Sequence, residues 1–333
     1  MTAGILSGRP LLATTAMLAV VLYGALATLH VIIRQVAGDQ WSWLYVANML
    51  GVIWWAPAVL VLPLAFLGRA WWPAALLSVL PAVVWVSTFG PYLVPGRADP
   101  SGVSAGATQV RAIAWNVRPR NPSADLAALI AEADPDIMLL AEVPSEYLDD
   151  VAAAAPGLPH HYFAPIAEQA PCCGHTAVLS RYPIVASRVI EGMPAEARTA
   201  SVVTVDVDGT RLDLVPLHLA SPLSGRGLPD LGHNSRLRMA ETEIIADALR
   251  TTGNPLLVGG DLNSAPANTP RKLLLGAGLQ DLQAEAGSGF GTTRRKIRVD
   301  WVYGRDLTAQ RAWTGNARNS DHRPVLVDFT LPG

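Results

Sequence analysis

The sequence is short of cysteine, of lysine and, over its first third, of charge. It has two cysteines in 333 residues, and they are neighbours, Cys172 and Cys173. Adjacent cysteines rarely close a disulfide, because the geometry is strained. Two thiols with no distant partner build neither a disulfide framework nor a zinc site. The pair reads as two thiols in a polar loop, with a strained vicinal disulfide as the alternative on an oxidising face. It does not fix the compartment. No His-x₃-His pair offers zinc ligands, and no glycine-rich nucleotide loop opens a helix.

Charged residues make up 16% of the chain and hydrophobic ones 50%. The imbalance is local. Only Arg9, Arg34, Arg69 and Asp39 precede residue 96, and seven of the ten tryptophans also lie there. The rest of the chain holds 22 basic against 26 acidic side chains, a net of −4. That balance argues against a non-specific nucleic-acid binder, whose affinity comes mostly from Lys and Arg on phosphate.

What is there instead begins with three apolar runs. LLATTAMLAVVLYGALATLHVII (11–33), WLYVANMLGVIWWAPAVLVLPLAFL (43–67) and WWPAALLSVLPAVVWVSTFGPYLV (71–94) each lack Asp, Glu, Lys and Arg. Each exceeds the roughly 20 residues that cross a bilayer as a helix. Tryptophan or tyrosine stands near at least one end or flank of each, where interfacial aromatics collect. Pro57, Pro63, Pro73 and Pro81 would break soluble helices but are tolerated in membrane ones. A membrane domain of three transmembrane helices over 1–94 is therefore expected. The first span has a rival reading as a signal peptide, with Arg9 as its n-region and Ala25-Leu26-Ala27 as a cleavage pattern. The apolar run continues to Ile33, which favours an uncleaved helix. With the N-terminus inside, either reading places the chain after the third span outside. Positive-inside evidence is thin, Arg9 and Arg69 on one side against Arg34 and Arg97 on the other. The expected location is thus the cell membrane, multi-pass, with the following domain extracytoplasmic.

Residues 95–109 are a Pro/Gly/Ser/Ala linker. From 110 to 333 short β-rich runs alternate with helical ones, which predicts one layered α/β domain. DVDGTR puts Asp208-Gly209 between two alternating runs, a hairpin signal. No internal repeat is visible. Polar residues repeatedly end the apolar runs: Asn116 after AIAW, Glu142 after DIMLLA, His218 after LDLVPL, and Asp261 and Asn263 around LLVGGDLN. Asp300 opens DWVY, and Asp321-His322 precede PVLVDF. Strand ends held by a rigid sheet are where catalytic groups concentrate. One such residue is more often a turn or a helix cap; six such places form a pattern. Carboxylates with an amide suit Mg²⁺ beside a phosphate, and a paired His and Asp can handle protons and phosphate charge.

The blocks WNV, LLAEV, VLSRYPI, LHL, GGDLNSAP, VDWVY and NSDHRP, in this order, resemble the endonuclease/exonuclease/phosphatase superfamily over residues 110–331. The resemblance implies a four-layer α/β sandwich of the DNase I-like kind, two packed sheets flanked by helices. It implies a hydrolase of phosphoric ester or anhydride bonds that uses Mg²⁺, or Mn²⁺. Carried onto this chain, Glu142 is the principal metal ligand with Asn116 beside it, and Asp321 helps directly or through water. Asp261 activates water and Asn263 holds a phosphate oxygen. His322 stabilises the phosphoryl group with Asp300 orienting its ring, and His218 contacts phosphate from the opposite wall. Several nucleases of the superfamily have an acidic residue where this chain has Arg118, which removes a potential ligand and adds a potential phosphate fork. Arg298, in RRKIR just before Asp300, is a second expected phosphate or headgroup contact. Smaller signals are His175 as a site-wall or plain loop residue, His233 at a helix entry, exposed His160 and His161, and Trp115 in the core.

Three spans ahead of such a domain are similar to a small group of actinobacterial membrane proteins of the superfamily linked to teicoplanin resistance. The Ala/Arg/Pro-rich, lysine-poor composition agrees with a high-GC source. The expected partner is a membrane lipid or a lipid-linked phosphate such as undecaprenyl pyrophosphate, rather than nucleic acid. The alternatives are an extracytoplasmic nuclease or phosphodiesterase, a sphingomyelinase-like phospholipase, and a non-catalytic binder of a cell-wall lipid or antibiotic.

Overall fold

The computed structural model describes residues 9–67, 72–94, 96, 108–118, 122–166, 174–222, 230–287 and 289–332. Cys172, Cys173 and nearly all of the expected linker lie outside the described residues. The chain divides into two compact units, Met1–Gly90 and Pro91–Gly333.

The first unit is helical: α1 (Arg9–Ala37), α2 (Ser42–Met49), α3 (Gly51–Trp54), α4 (Ala56–Leu67) and α5 (Trp72–Phe89). Ala13–Ala37 and Trp72–Tyr92 are long and apolar enough to cross a membrane. The expected middle span is not one straight helix. Ser42–Met49 and Gly51–Val61 meet at 66°, so the unit offers two spans, or three if the bent pair counts as one. That bend falls at Leu50, and a second interruption follows at Trp55, between α3 and α4, where Pro57 has no N–H to give the carbonyl of Ile53. Neighbouring helices bond the backbone around this second interruption. The Tyr23 hydroxyl donates to Trp54 O (2.9 Å) and accepts from Ala58 N (3.1 Å), and Trp85 Nε1 donates to Val52 O (2.8 Å). That is how a broken helix survives where water is scarce. Leu18, Leu22, Leu26, Leu29 and Ile32 stand exposed along α1, an apolar surface that soluble proteins rarely leave open.

The second unit holds two six-stranded sheets. The first has the order β11-β12-β1-β2-β4-β3, from β1 (Gln109–Asn116), β2 (Ile137–Val143), β3 (His160–Phe163), β4 (His175–Ser180), β11 (Thr308–Thr314) and β12 (Val325–Thr330). The second has the order β5-β6-β7-β8-β10-β9, from β5 (Ile184–Val189), β6 (Ser201–Val207), β7 (Thr210–His218), β8 (Leu256–Asp261), β9 (Gln280–Asp281) and β10 (Asp300–Arg305). Asp208 and Gly209 both have positive φ between β6 and β7, as the expected two-residue hairpin demands.

Period-2 alternation explains the layering. Ala112 and Ala114 of β1 face Val203, Leu214 and Leu257 in a core between the sheets. Ile113 and Trp115, on the other face of β1, pack on Leu126 and Leu129 of α6 (Pro122–Ala133) and Val151 of α7 (Leu148–Ala153). Val215, Val258 and Trp301 do the same for the second sheet, against Ile245 and Leu249 of α8 (Leu231–Arg250) and Leu274 of α9 (Thr269–Gly276). Helices, sheet, sheet, helices: the expected four-layer sandwich.

The two glycines of LLVGGD have separate reasons. A Cβ at Gly259 would meet Ala114 Cβ at 3.0 Å and Leu139 Cδ1 at 3.1 Å across the inter-sheet core. Gly260 has φ +140, and a Cβ there would run into the carbonyl oxygen of Leu217, in the neighbouring strand. Gly260→Val should therefore distort β8 one residue before Asp261. The expected result is a loss of about 2–4 kcal/mol from backbone strain and overpacking, read as a lowered melting midpoint of the purified protein.

Candidate active site

Strand direction collects the site. Sheet one brings the C-terminal ends of parallel β1 and β2 to one edge. Antiparallel β12 begins there. Sheet two does the same with parallel β7 and β8 and the start of antiparallel β10. Asn116, Glu142, His218, Asp261, Asp300 and His322 thus come together from positions up to two hundred residues apart. In sheet two they form a row, with His218 opposite Asp261 and Asp261 opposite Asp300 in register.

Asn116 joins the sheets. Its Nδ2 donates to Glu142 Oε1 (2.9 Å) and to Asp261 Oδ2 (3.1 Å). His218 Nε2 lies 3.5 Å from Glu142 Oε1 and 3.9 Å from Asp261 Oδ2. His322 Nδ1 meets Asp300 Oδ2 at 2.8 Å, and its Nε2 faces Asp261 Oδ2 at 3.7 Å. Asp261 Oδ1 accepts from Asn263 N (2.8 Å), and Asn263 Nδ2 donates to Leu219 O (3.0 Å). All except Glu142 are buried. Glu142 and Asn263 sit at φ +59 and +48, sparsely populated conformations for residues other than glycine that cluster at functional sites.

Burial sets the proton inventory. It pushes the Asp261 carboxyl up, as does the Asp300 charge, to about 6 despite His322. Burial pulls on His322 in the opposite sense, but Asp300 more than offsets it and holds the imidazole at about 9. His218 is driven well below its ordinary value by burial, then by the Arg198, His322 and Arg294 charges. At neutral pH one histidine is a cation and the other neutral.

Glu142, Asp261 and Asp300 carry three negative charges against one on His322. Such an excess is costly in a buried place unless a cation offsets it. Asp300 Oδ1 and His218 Nδ1 are buried without a hydrogen-bond partner. Among the described residues two groups have ligand atoms close enough for one metal ion, Glu142 with His218 and Asp261, and Asp261 with Asp300 and His322. The donors fit a divalent cation.

Comparison with known proteins agrees with this arrangement. The model of the Endonuclease/Exonuclease/phosphatase family matches residues 105–322. The chain belongs to that family. An endonuclease/exonuclease/phosphatase from Beutenbergia cavernae is 21% identical, with a TM-score of 0.55, over 68% of this chain and 72% of that one. One from Bacteroides vulgatus is 16% identical, with a TM-score of 0.57, over 68% and 100%. D. rerio TDP2 humanized by 14 mutations is 18% identical, with a TM-score of 0.55, over 66% and 98%. At such identities the likeness shows the fold, a mixed α/β two-sheet DNase I-like one. No curated protein matches the chain. Members of the family are usually hydrolases of phosphoester bonds, which the buried cluster suits.

One expected site residue falls elsewhere, and another sits at the rim, 4.0 Å from His322. Arg298 is not at the cluster. Its guanidinium is buried, bonds Asp281 through both terminal nitrogens (3.1 and 2.8 Å) and lies 3.9 Å over the Trp301 ring. It belongs to a buried pair that Tyr92 Oη also joins, at 2.6 Å from Asp281 Oδ2. Asp321 belongs to neither metal-capable group. It accepts from Arg294 Nε and Nη2 (3.1 and 2.9 Å), with Arg118 Nη1 at 3.4 Å. Burial raises its pKa, but Arg294, His322 and Arg118 bring it below the ordinary value.

The remaining histidines of this unit belong to neither metal-capable group. His175 is held by Ser145 Oγ (3.0 Å) and Ala164 O (2.7 Å), and His233 by Glu196 (2.6 Å) at the entry of α8. His160 and His161 are half-buried rather than exposed, because β3 pairs with β4. Trp115 packs in the core as expected and also donates to His322 O (3.1 Å). Sequence reasoning missed the supports. Ser320 Oγ donates to Asn116 O (2.7 Å) and accepts from His322 N (3.0 Å), while Thr293 Oγ1 accepts from Val299 N and Asp300 N. Ser320 stood within NSDHRP, whereas Thr293 gave no signal.

Arg298→Ala should unfold rather than disarm. It leaves Asp281 with only Arg271, at 3.8 Å, as a cationic partner, a loss of about 3 kcal/mol, measured by urea denaturation of the full chain. The pair's contribution also depends on pH. Burial raises the Asp281 pKa, but Arg298 and its neighbours bring it below the unfolded value. That stability is present above the unfolded carboxylate pKa and is lost as pH falls through the folded one. A wild-type melt should therefore lose more on acidification than a melt of Arg298→Met/Asp281→Leu.

Proposed function

We propose that this chain is a membrane-anchored, metal-dependent hydrolase of a lipid-linked phosphate or diphosphate. In this reading it is a multi-pass protein whose catalytic unit faces outward. It stands with the actinobacterial members linked to teicoplanin resistance that its sequence resembles. The observation that carries the reading is the presence, in one chain, of a buried acid–histidine cluster suited to phosphoester chemistry and helices able to cross a bilayer. A substrate dissolved in that bilayer gains effective concentration from the tether.

Glu142 would hold the metal, Mg²⁺ or Mn²⁺, with Asn116 fixing its carboxylate and His218 or Asp261 alongside. When bound, the metal polarises a phosphoryl oxygen and offsets the charge of the leaving oxygen. Asp261, between Asn116 and His322, orients water and takes its proton. Its near-neutral pKa suits a general base. His322, kept protonated by Asp300, donates from Nε2 to a phosphate oxygen. Asn263 adds a donor on the Leu219 side.

The test is phosphate release by the detergent-purified protein from a C15 polyprenyl diphosphate, with Mg²⁺ or with EDTA, beside supercoiled DNA. Metal-dependent release with intact DNA supports the reading, and Asp261→Asn should lower it by at least 10²-fold. Cut DNA and untouched lipid would replace it with a tethered nuclease. The pH profile tests the roles. Protonated His322 is the active form, so activity falls as pH rises through about 9. Asp300→Asn removes the charge that raises that pKa, so the alkaline limb moves toward neutral pH.

A further inference from the structure

Beyond the cluster, the rim carries more positive charge than its own geometry uses. Arg118 and Arg294 converge on the single carboxylate of Asp321, whose Oδ1 lies 3.4 Å from Arg118 Nη1 and 4.0 Å from His322 Nε2. Two guanidiniums on one carboxylate leave one net positive charge. Their side chains are 47% and 40% exposed, so donors remain open to a ligand. Both stems are fixed. Arg118 sits at φ +57 with its N–H on Asn116 Oδ1 (3.3 Å). Arg294 pairs with Ile297 in a tight turn and bridges to the backbone of His322, while Arg323 N donates to Thr293 O (2.7 Å). The Arg294 charge is felt at both site histidines.

We infer that Arg118 and Arg294 form a subsite for a second phosphate, the one that leaves, and that the substrate is therefore a phosphoanhydride rather than a simple phosphoester. The inference rests on the hydrolase reading above. Guanidinium forks match phosphate oxygens in paired hydrogen bonds. A monoester of a lipid alcohol has no second phosphate to place there. A diphosphate does, its inner phosphate carrying one negative charge before the bridging bond breaks and gaining a second as it leaves, whereas the leaving oxygen of a nucleic-acid diester becomes a sugar hydroxyl.

In the reaction, water oxygen bonds the terminal phosphorus and the bridging P–O bond breaks, its electron pair leaving with the monophosphate. One water proton passes to Asp261 and the other stays on the released phosphate. Charge grows on the leaving phosphate as the bond breaks, where preset donors act most strongly. Asp321 keeps the two arginines parted and aimed until that phosphate arrives.

The test compares farnesyl diphosphate with farnesyl monophosphate, in excess Mg²⁺, on the full-length protein. The Arg118→Ala/Arg294→Ala variant should lose about 10²-fold in kcat/KM on the diphosphate and much less on the monophosphate. An equal loss on both overturns the subsite but leaves the hydrolase reading intact. Wild-type protein inert on both lipids, with Asp261→Asn indistinguishable from it, sinks the hydrolase reading itself. Binding to wild-type protein gives a measure free of any folding defect in the variant. Imidodiphosphate, which resists hydrolysis, should compete at least tenfold more tightly than inorganic phosphate at fixed Mg²⁺. Equal affinity overturns the subsite.

Discussion

The contact between His322 and Asp300 is the one on which the site depends. It is a 2.8 Å bond between a residue placed by the first sheet and a residue placed by the second. Asp300 is held at the mouth of β10 by Thr293, and His322 is held at the entrance of β12 by Ser320 and Trp115. If the sheets slid by one residue, the pair would part and Asp300 would be a buried charge with no cation. Register in a sheet with a buried face resists such a slip, since every side chain would change faces. Function thus borrows its precision from the core between the sheets, where Gly259 lets the two backbones come near.

Proton states follow from the same contact. The Asp300 charge holds the proton on His322 and raises Asp261 in turn. The site therefore contains a base that binds protons reluctantly at neutral pH and an acid that holds one firmly. Environments that push two titrating groups apart in this way are how one site serves both proton duties. His218, buried with the Arg198, His322 and Arg294 charges near it and its nearest carboxylate oxygen at 3.5 Å, goes the other way. Two histidines of one sequence type are separated by their neighbours alone.

Much of this was legible beforehand, and the reason is positional. Polar residues at the ends of apolar runs mark strand termini, so Asn116, Glu142, His218, Asp261, Asp300 and His322 could be picked from the pattern. The blocks around them carried the family. What the pattern could not give was direction across the sheet. Arg298 and Arg294 lie in one basic run, and nothing local says which faces the site. In the structure Arg298 turns inward to Asp281 and Trp301, while Arg294 turns to Asp321. The same limit hid Thr293, whose role is a hydroxyl accepting two backbone N–H groups after the chain has folded back on itself. The middle apolar run failed for a different reason. Length and composition measure whether a segment can cross a bilayer, and neither says whether it does so as one straight helix.

The helical unit poses a related constraint. Tyr23 gives both its donor and its acceptor to backbone freed at the α3–α4 break. Tyr23 belongs to α1, so the α3–α4 interruption is held by packing between helices and not by the broken segment alone. Side chains from α1 and α5 bond the backbone around it, and Trp41 and Trp43 stand stacked and exposed in the same unit. Exposed indoles at the end of an apolar unit favour the boundary between lipid and water. An apolar unit with an aromatic border suits the interface of a bilayer.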